Sequence, residues 1–363
     1  MSNFTSVKFD PKKSEFAKVL RKRVNKYFKD KNISKYSNLN MVLKTCFMMS
    51  LYFLPFAFVV SGSVDTLWMN LILWALMGVG MAGIGMAVMH DANHGSYSKS
   101  KKINAFIGQV ITLIGGNAIN WKLQHNVLHH TYTNISGMDE DLESDPLMRF
   151  SPYQERKKFH RFQHLYAWFL YGLMTIQWSI DKDFTQMVRY KKKGLLKLQN
   201  IKFTRSLIML IISKILYYLY VLVLPLIIAP TWWYALIGYF MMHFIAGFIL
   251  AIVFQCAHVV QNSKYPTPSL ESGDMETDFF AHQLNTTCNF GAESKLFGWF
   301  VGGLNFQVEH HLFPNICHIH YKKISPIVKK TALEFGLPYH SFSTFLEALS
   351  CHTKHLRRLG VAN

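Results

Sequence analysis

Histidines recur in this sequence at spacings that suit metal binding. His125, His129 and His130 stand close together, and residues four apart on a helix share one face. His90 and His94 repeat the four-residue spacing upstream. Neutral imidazole is the commonest metal ligand in proteins, so both clusters are candidate ligand sets.

A third cluster, Gln307-Val308-Glu309-His310-His311, lies downstream. Any single histidine pair is equally well explained as surface polar residues. Three clusters, each beside an apolar run, favour a metal site.

The number of candidate ligands indicates two ions. Adding the histidine at the end of the last apolar run gives His90, His94, His125, His129, His130, His258, His310 and His311. A catalytic zinc takes three protein ligands and a structural zinc takes four, so eight imidazoles suit a pair of ions. Imidazole binds iron, copper and zinc, and zinc has no redox chemistry. Two redox ions at a membrane are suited to activating dioxygen, with a lipid as substrate.

Three other polar residues of the clusters are candidates for the surroundings of the metals. Gln307 stands where a further histidine would be expected, and its oxygen either binds a metal weakly or orients a water. Asp91 and Glu309 are placed to accept the second ring N–H of a ligand histidine, which fixes the tautomer. The alternative for both carboxylates is a solvated loop charge.

Composition indicates a membrane protein. Half of the 363 residues are hydrophobic and they collect in long runs. The net charge of +18 lies in the segments beside those runs, as expected for basic residues facing anionic headgroups, so no nucleic-acid partner is expected. Five cysteines without a C-x-x-C motif argue against a disulfide framework or a thiolate zinc site.

Four apolar runs predict membrane spans, because a helix needs about 20 residues to cross a bilayer. They cover residues 45–62, 66–89, 206–229 and 232–255, and short turns without Lys or Arg pair them into two hairpins. The basic residues lie in a leader (1–43), a loop (90–205) and a tail (257–363). These three segments are therefore predicted on the cytoplasmic side, where they would bring all the histidine clusters together.

The predicted fold is an all-α integral membrane protein. One domain over residues 1–363 contains hairpins at 45–89 and 206–256, and the cytoplasmic segments outside the hairpins would hold a di-metal site. The leader forms either an amphipathic helix on the membrane surface or a loosely ordered tail. Residues 103–119 are predicted as a buried or re-entrant helix, and residues 164–180 as an interfacial helix. Lys214, inside the third span, is expected to snorkel to the interface.

The three motifs H-D-x-x-H, H-N-x-x-H-H and Q-x-E-H-H, in this order around two span pairs, resemble the membrane fatty acid desaturases. The resemblance extends from the first span to about Tyr321. It implies a centre of two irons that uses dioxygen and two electrons to place a cis double bond in a fatty acyl chain. It also implies a fold of four transmembrane helices with a cytoplasmic helical cap that holds the di-metal site. A metal-binding histidine is implied at the end of the fourth span, which His258 matches.

The glutamine of the third motif is similar to front-end desaturases, including linoleoyl-CoA desaturases, which act between an existing double bond and the carboxyl end. No H-P-G-G motif of a fused cytochrome occurs in the sequence. Electrons are therefore expected from a separate carrier, such as ferredoxin or a free cytochrome, and the enzyme is expected in a bacterial cytoplasmic membrane. The acyl carrier remains open between CoA, a carrier protein and a phospholipid.

Two alternatives use the same residues differently. A lipid hydroxylase or related oxygenase would share the two-iron centre and yield an alcohol. A zinc-binding membrane receptor or a transporter would hold a different metal, and a transporter would place ionisable residues at mid-depth. Within the spans only His243 and Lys214 stand at such depth.

The remaining polar residues are predicted to be structural. His243 is expected to be a buried hydrogen-bonding residue, and unpaired histidines such as His282 and His340 are expected to be structural. His318 and His320 are the expected exceptions, near the metal site. The acidic patch at residues 139–145 is interpreted as a solvated loop paired with nearby Lys and Arg, with docking of a basic electron carrier as the alternative.

Overall fold

The computed structural model describes residues 6–10, 15–142 and 146–362, and this part of the chain is mostly helical. Its α-helices are α1 (Glu15–Asp30), α2 (Leu39–Val59), α3 (Leu67–Gly83), α4 (His90–Asn93), α5 (Lys101–Gly108), α6 (Ala118–Trp121), α7 (His130–Tyr132), α8 (Gln163–Gln177), α9 (Asp183–Lys192), α10 (Leu195–Leu198), α11 (Phe203–Tyr218), α12 (Leu224–Ile228), α13 (Trp232–His258), α14 (Phe279–Thr286), α15 (Lys295–Phe300), α16 (Gln307–Leu312), α17 (Tyr321–Glu334) and α18 (Phe345–Val361). Wider π-helical turns cover Ile84–Met89, Lys122–His129, Trp178–Lys182 and Leu219–Val223. Tighter 3-10 turns cover Gln109–Ile114, Lys158–Phe162 and His318–His320. The short strands β1 (Asn289–Phe290) and β2 (Ser341–Phe342) pair in parallel.

Within the described residues, four helices are long and apolar enough to cross a membrane. They are span 1 (Leu39–Val59), span 2 (Leu67–Asn93), span 3 (Phe203–Ile228) and span 4 (Trp232–His258). Spans 1 and 3 expose large apolar side chains, among them Phe47, Leu54 and Leu216, which is the surface that lipid requires. The predicted all-α membrane protein with four spans is confirmed.

Spans 2 and 4 pack closely through glycines. A methyl group on Gly78 would lie 2.6 Å from the carbonyl oxygen of Met242 in span 4. On Gly80 it would lie 2.7 Å from the backbone nitrogen of Tyr52 in span 1. Small residues at such contacts let helix backbones approach closely. This packing fixes the ends of spans 2 and 4, where His90 and His258 lie.

Span 1 begins six residues before its predicted start at residue 45. Lys44 lies inside the span and is buried. Its Nζ is 2.7 Å from Nε2 of His318 and 5.1 Å from the ring centre of Trp299. Lys44 stands just before the predicted start of the span, and residues from the C-terminal part of the chain cover it inside the protein.

The amphipathic helix predicted in the leader is α1, but its apolar face is turned into the protein. Phe16, Leu20 and Val24 pack in one cluster with side chains of α14, α16 and α17. Arg23 also donates hydrogen bonds to Thr331 and Glu334 of α17. The helix is confirmed, and its placement on the membrane surface is wrong because the cap covers the face that lipid would occupy.

Two short helices replace the single helix predicted over residues 103–119. The chain turns at Gly115, whose φ of +81° lies in the left-handed region that glycine adopts without strain. A methyl group there would also lie 2.9 Å from the ring of Tyr217. A single helix over this range is therefore wrong, and α6 starts the chain in a new direction toward His125. Re-entry of the segment into the membrane stays a prediction.

The helix predicted over residues 164–180 is α8, and it lies along span 4. A methyl group on Gly247 of span 4 would be 2.7 Å from the carbonyl oxygen of Gly172. Leu165 is exposed, and Phe169, although exposed as well, packs its ring 5.7 Å from that of Phe244 in span 4. Its location at the membrane interface stays a prediction.

Lys214 is a buried ion-pair partner and does not snorkel as predicted. Its Nζ lies 2.7 Å from Oδ2 of Asp183 and 2.6 Å from the carbonyl oxygens of Gly115 and Trp178. The two charged side chains are only 6 % and 7 % exposed. The ammonium needs no access to the interface, because α9 supplies its counter-ion inside the protein.

Helix α18 closes the cap against the bundle. His352 accepts a hydrogen bond from the Tyr171 hydroxyl at 2.7 Å and donates from Nδ1 to the carbonyl oxygen of Val259 at 2.7 Å. Arg149 donates to the carbonyl oxygen of Leu359 at 2.6 Å. These bonds join α8, the end of span 4 and the last helix.

Candidate metal centre

The first group of imidazoles lies where span 2, the Lys122–His129 turn and α16 meet. His90, His94, His125 and His310 each offer a ring nitrogen, and these four atoms lie within 4.8 Å of one another. His130 borders the group, with its Nε2 2.9 Å from Nε2 of His310 and 3.3 Å from Nε2 of His125.

The second group joins His129, His258 and His311, whose ring nitrogens also lie within 4.8 Å of one another. The ring of His311 stacks on that of His130 at 4.3 Å between centroids, so the two groups adjoin. The structure thus brings all eight predicted histidines into one cluster. Their ligation of metal stays a prediction.

A π-helix distributes the second histidine motif between the groups. The sequence predicted an α-helical face shared by His125 and His129, but Lys122–His129 has i→i+5 hydrogen bonding, a rare turn found frequently at functional sites. His125 and His130, five apart, therefore meet in the first group. His129 reaches His258 and His311, while its ring still stacks on that of His125 at 5.3 Å between centroids.

Three different acceptors hold the outer ring nitrogens of the second group. His129 Nδ1 donates to both carboxylate oxygens of Asp139 at 3.1 Å. His311 Nδ1 donates to Oε1 of Gln283 at 2.8 Å, and His258 Nδ1 lies 3.3 Å from the carbonyl oxygen of Thr286. Each bond places the ring proton on Nδ1 and turns the Nε2 lone pair inward, as in metal sites with oriented histidines.

Aromatic rings and a tyrosine hydroxyl hold the rest of the cluster. His310 Nδ1 lies 3.1 Å from the hydroxyl of Tyr321. The Trp121 ring packs against His125 at 4.5 Å, and the Phe254 ring packs against His129 at 5.0 Å. These side chains exclude water from the imidazoles.

Burial sets the protonation of the cluster outside the spans. Desolvation, with repulsion from neighbouring histidines, holds the pKa well below its ordinary value in His94, His130, His310 and His311. Desolvation also lowers the pKa of His125 to about 3. These rings are neutral at pH 7, which is the form that binds metals. In His129, desolvation is outweighed by the Asp139 carboxylate, which raises the pKa.

The donor set fits two transition-metal ions. Nε2 of His94, His129, His258 and His311 is buried without a hydrogen-bond partner, and each such group costs about 1–3 kcal/mol. The Nε2 atoms of His130 and His310 also face each other at 2.9 Å. A cation between the rings would remove the penalty of the four unpaired nitrogens, and imidazole nitrogen suits iron, copper or zinc.

The predicted shell residues are all buried, which excludes the solvated loop charges. Asp91 Oδ2 accepts from His318 Nδ1 at 2.9 Å, and its other oxygen lies 3.8 Å from His90 Nδ1. Glu309 accepts from Asn289 and Tyr339, each at 2.8 Å, and from none of the eight histidines. Gln307 is buried one turn before His310 and His311, and its metal contact stays a prediction.

The acidic patch at residues 139–145 was predicted to be a solvated loop, and this is wrong for the two residues that lie beside the histidine cluster. Asp139 is fully buried against His129, and Asp141 lies 3.6 Å from the same ring. Glu140 follows the prediction and pairs with Arg189 and Lys193. Glu143 and Asp145 lie outside the described residues. Sequence reasoning missed Asp139, whose ten-residue separation from His129 forms no recognisable motif.

The histidines predicted to be structural are mostly so. His243 is buried and bonded to Tyr217 and Thr175, as expected. His282 donates to the carbonyl oxygen of Thr133 at 2.9 Å. His318 reaches the site through Asp91, as the expected exception, whereas His320 bonds the carbonyl oxygen of Tyr36.

The profile of the fatty acid desaturase family matches residues 66–343, which include all eight histidines. The chain belongs to the fatty acid desaturase family. Its spans and its buried imidazole cluster are those of a membrane oxidoreductase that acts on lipid acyl chains.

Full-length relatives agree with this assignment. The sn-1 linoleoyl-lipid 6-desaturase of Arthrospira platensis is 35 % identical, covering 99 % of this chain and 97 % of the relative. The protein of the same name from Synechocystis sp. is 34 % identical, covering 98 % of each. An acyl-lipid (8-3)-desaturase of Physcomitrium patens is 36 % identical, covering 97 % of this chain and 73 % of the relative.

Proposed function

We propose that this desaturase inserts a cis double bond into a lipid-linked acyl chain at a centre of two irons, using dioxygen and electrons from a separate carrier. The observation that carries the proposal is the meeting of eight imidazoles in two adjoining groups at the ends of spans 2 and 4. Four of them present unpaired Nε2 atoms.

His90, His94, His125, His130 and His310 would hold one iron, and His129, His258 and His311 the other. Bound iron supplies the redox chemistry that couples dioxygen reduction to removal of two hydrogens from adjacent methylenes. The protein's own part is orientation. Asp139, Gln283 and Thr286 keep Nε2 of their histidines free, and Trp121 and Phe254 exclude water from the site.

The substrate proposal follows the names of the relatives. Two of similar length are named for linoleoyl lipid and the 6 position, which favours a linoleoyl lipid over CoA or a carrier protein. Gln307 in the third motif accords with action between an existing double bond and the carboxyl end. Spans 2 and 4 carry His90 and His258, so the proposal has the acyl chain enter the site from the bilayer.

The proposed orientation places the cap and the metal centre on the cytoplasmic side of a bacterial membrane. Basic residues concentrate in the segments outside the spans, as the positive-inside rule requires. The 363 residues form one membrane unit in this proposal. Ferredoxin or a free cytochrome would deliver the electrons in this proposal.

Expression in a host that makes linoleoyl lipids tests the proposal. Lipid profiles with and without the protein should differ by one new double bond, which mass spectrometry locates. His129→Ala and His311→Ala should abolish it, while His340→Ala, whose ring lies outside both groups, should retain it. An alcohol product would favour a hydroxylase, and desaturation by either alanine variant would refute the proposed centre.

A further inference from the structure

Helix α14 carries none of the histidine motifs, yet it touches the second motif, the third motif and the end of span 4. Its first turn is fixed by Asp278, whose carboxylate accepts the N–H groups of Phe280 and Ala281 at 2.8 and 3.3 Å. From there Gln283 and Thr286 face the second imidazole group, and both are fully buried. The helix is therefore rigid and placed to act on the site.

Gln283 joins the second and third histidine motifs through one amide. Its Nε2 donates to the carbonyl oxygen of His130 at 2.9 Å, and its Oε1 accepts from His311 Nδ1 at 2.8 Å. Thr133 Oγ1 lies 3.0 Å from the same oxygen and 3.3 Å from His311 Nδ1. The two ends of the amide thus join His130 and His311, which are 181 residues apart in sequence.

This geometry fixes the amide orientation and the tautomer of His311. A carbonyl oxygen can only accept, so the end of Gln283 that faces His130 must be the NH₂ group. The oxygen then faces His311 Nδ1, which must carry the proton. The Nε2 atom of His311 is left with its lone pair, buried and unpaired.

We infer that Gln283 is a positioning residue for the second metal ion, setting the tautomer and ring plane of His311. The inference rests on the proposed two-iron function. Unlike Asp139 beside His129, the amide carries no charge, so it orients His311 without adding negative charge to the site. The same residue ties the ring to the backbone of the second motif, which fixes the separation of the two groups.

Iron content and iron release test the role without an activity assay. Gln283→Leu keeps the size of the side chain and removes both hydrogen bonds, and Gln283→Glu keeps the acceptor for His311. Loss of such a partner typically weakens metal binding about 10–100-fold. Wild type should hold two irons, Gln283→Leu should lose one to a chelator about 10–100-fold faster, and Gln283→Glu should recover slow release.

Asn285→Leu is the matched control, because the Asn285 amide donates only to Ala281 within α14. It should keep two irons. If Gln283→Leu releases iron like wild type, or if folded Gln283→Glu releases it like Gln283→Leu, the inference is overturned. Wild type with fewer than two irons would instead refute the two-iron function.

A second measurement covers failure of Gln283→Leu to fold. In zinc-loaded wild type labelled with ¹⁵N-histidine, the ring of His311 should be protonated on Nδ1 and metallated on Nε2. The Gln283→Glu spectrum assigns that signal by its shift. A His311 ring protonated on Nε2 would overturn the role of Gln283.

Discussion

The ion pair between Lys214 and Asp183 gives a test of how the spans are held to the loop that carries the second histidine motif. The ammonium contacts Asp183 and the carbonyl oxygens of Gly115 and Trp178 at 2.6–2.7 Å. Lys214→Met keeps the length of the side chain and removes the charge. The buried carboxylate then keeps only the amide of Asn120, at 3.2 Å, as a side-chain partner.

The expected cost is large because three oxygens lose one donor. Removing one member of a buried ion pair costs about 3–5 kcal/mol, a substantial share of the ~5–15 kcal/mol that stabilises a folded domain. Asp183→Asn should lie at the lower end of that range, about 3 kcal/mol, because the ammonium loses its counter-charge but keeps an amide oxygen and both carbonyls as acceptors. The double variant should cost less than the sum, with a coupling energy of about 1–3 kcal/mol.

Reversible SDS unfolding of the four proteins in micelles, followed by circular dichroism, measures this double-mutant cycle. Lys197→Met serves as the control, since Lys197 is exposed on α10 and should change the unfolding free energy by no more than about 0.5 kcal/mol. A Lys214→Met cost as small as the control, or single costs that add within about 0.5 kcal/mol, would show that the ion pair does not form.

Three further variants probe other parts of the structure. Asp139→Asn removes the charge that orients His129 and should weaken iron binding about 10–100-fold, measured by chelator competition. Gly247→Ala places a methyl group 2.7 Å from the Gly172 carbonyl oxygen and should destabilise by about 1–3 kcal/mol in SDS unfolding. Burial lowers the pKa of His352 from 6.5 to about 4, so the unfolded chain binds that proton first as pH falls. The stability that the neutral His352 contributes is therefore lost as the pH falls from 6.5 to about 4. His352→Gln should flatten the pH dependence of the unfolding free energy in this range.

For each of these three variants, one outcome would contradict the prediction. For Asp139→Asn this is iron binding equal to that of Glu155→Gln, an exposed control. For Gly247→Ala it is a cost no larger than that of Gly85→Ala, whose methyl group meets only the flexible end of Leu250 at 3.2 Å. For His352→Gln it is an acid sensitivity equal to that of wild type.

The spans and the histidine motifs were predictable because both are local patterns. A run of about 20 apolar residues specifies a span without reference to the rest of the chain. Histidines four or five apart remain neighbours on any helix, so the motifs survive the change from an α- to a π-helix. That change itself was not predictable, and it decides that His129 joins the second group.

The partners of the histidines were not predictable, because tertiary contacts bring them together. Gln283 meets His311 across 28 residues, and Tyr321 meets His310 across 11. The positions of Lys44 and Lys214 were mispredicted for the same reason. Their partners lie in distant elements, so from the local sequence Lys44 resembled a residue before the span and Lys214 one at the membrane interface. Glu309, one residue from His310, suggested a contact with a ligand histidine that the helix geometry of α16 does not make.

The need to pair buried ring nitrogens makes the metal centre and the fold depend on each other. Four buried ring nitrogens without hydrogen-bond partners would together cost about 4–12 kcal/mol, which is comparable with the whole stability of a typical domain at about 5–15 kcal/mol. Histidines that only oriented a substrate would leave these ring nitrogens unpaired, whereas bound cations would pair with them and remove the cost. The histidines that would hold the irons are thus also the residues through which metal binding would hold spans 2 and 4, the π-helical turn and α16 together. Gln283 and Asp139 matter to both roles, because the inward-facing lone pairs exist only while the outer ring nitrogens keep their acceptors.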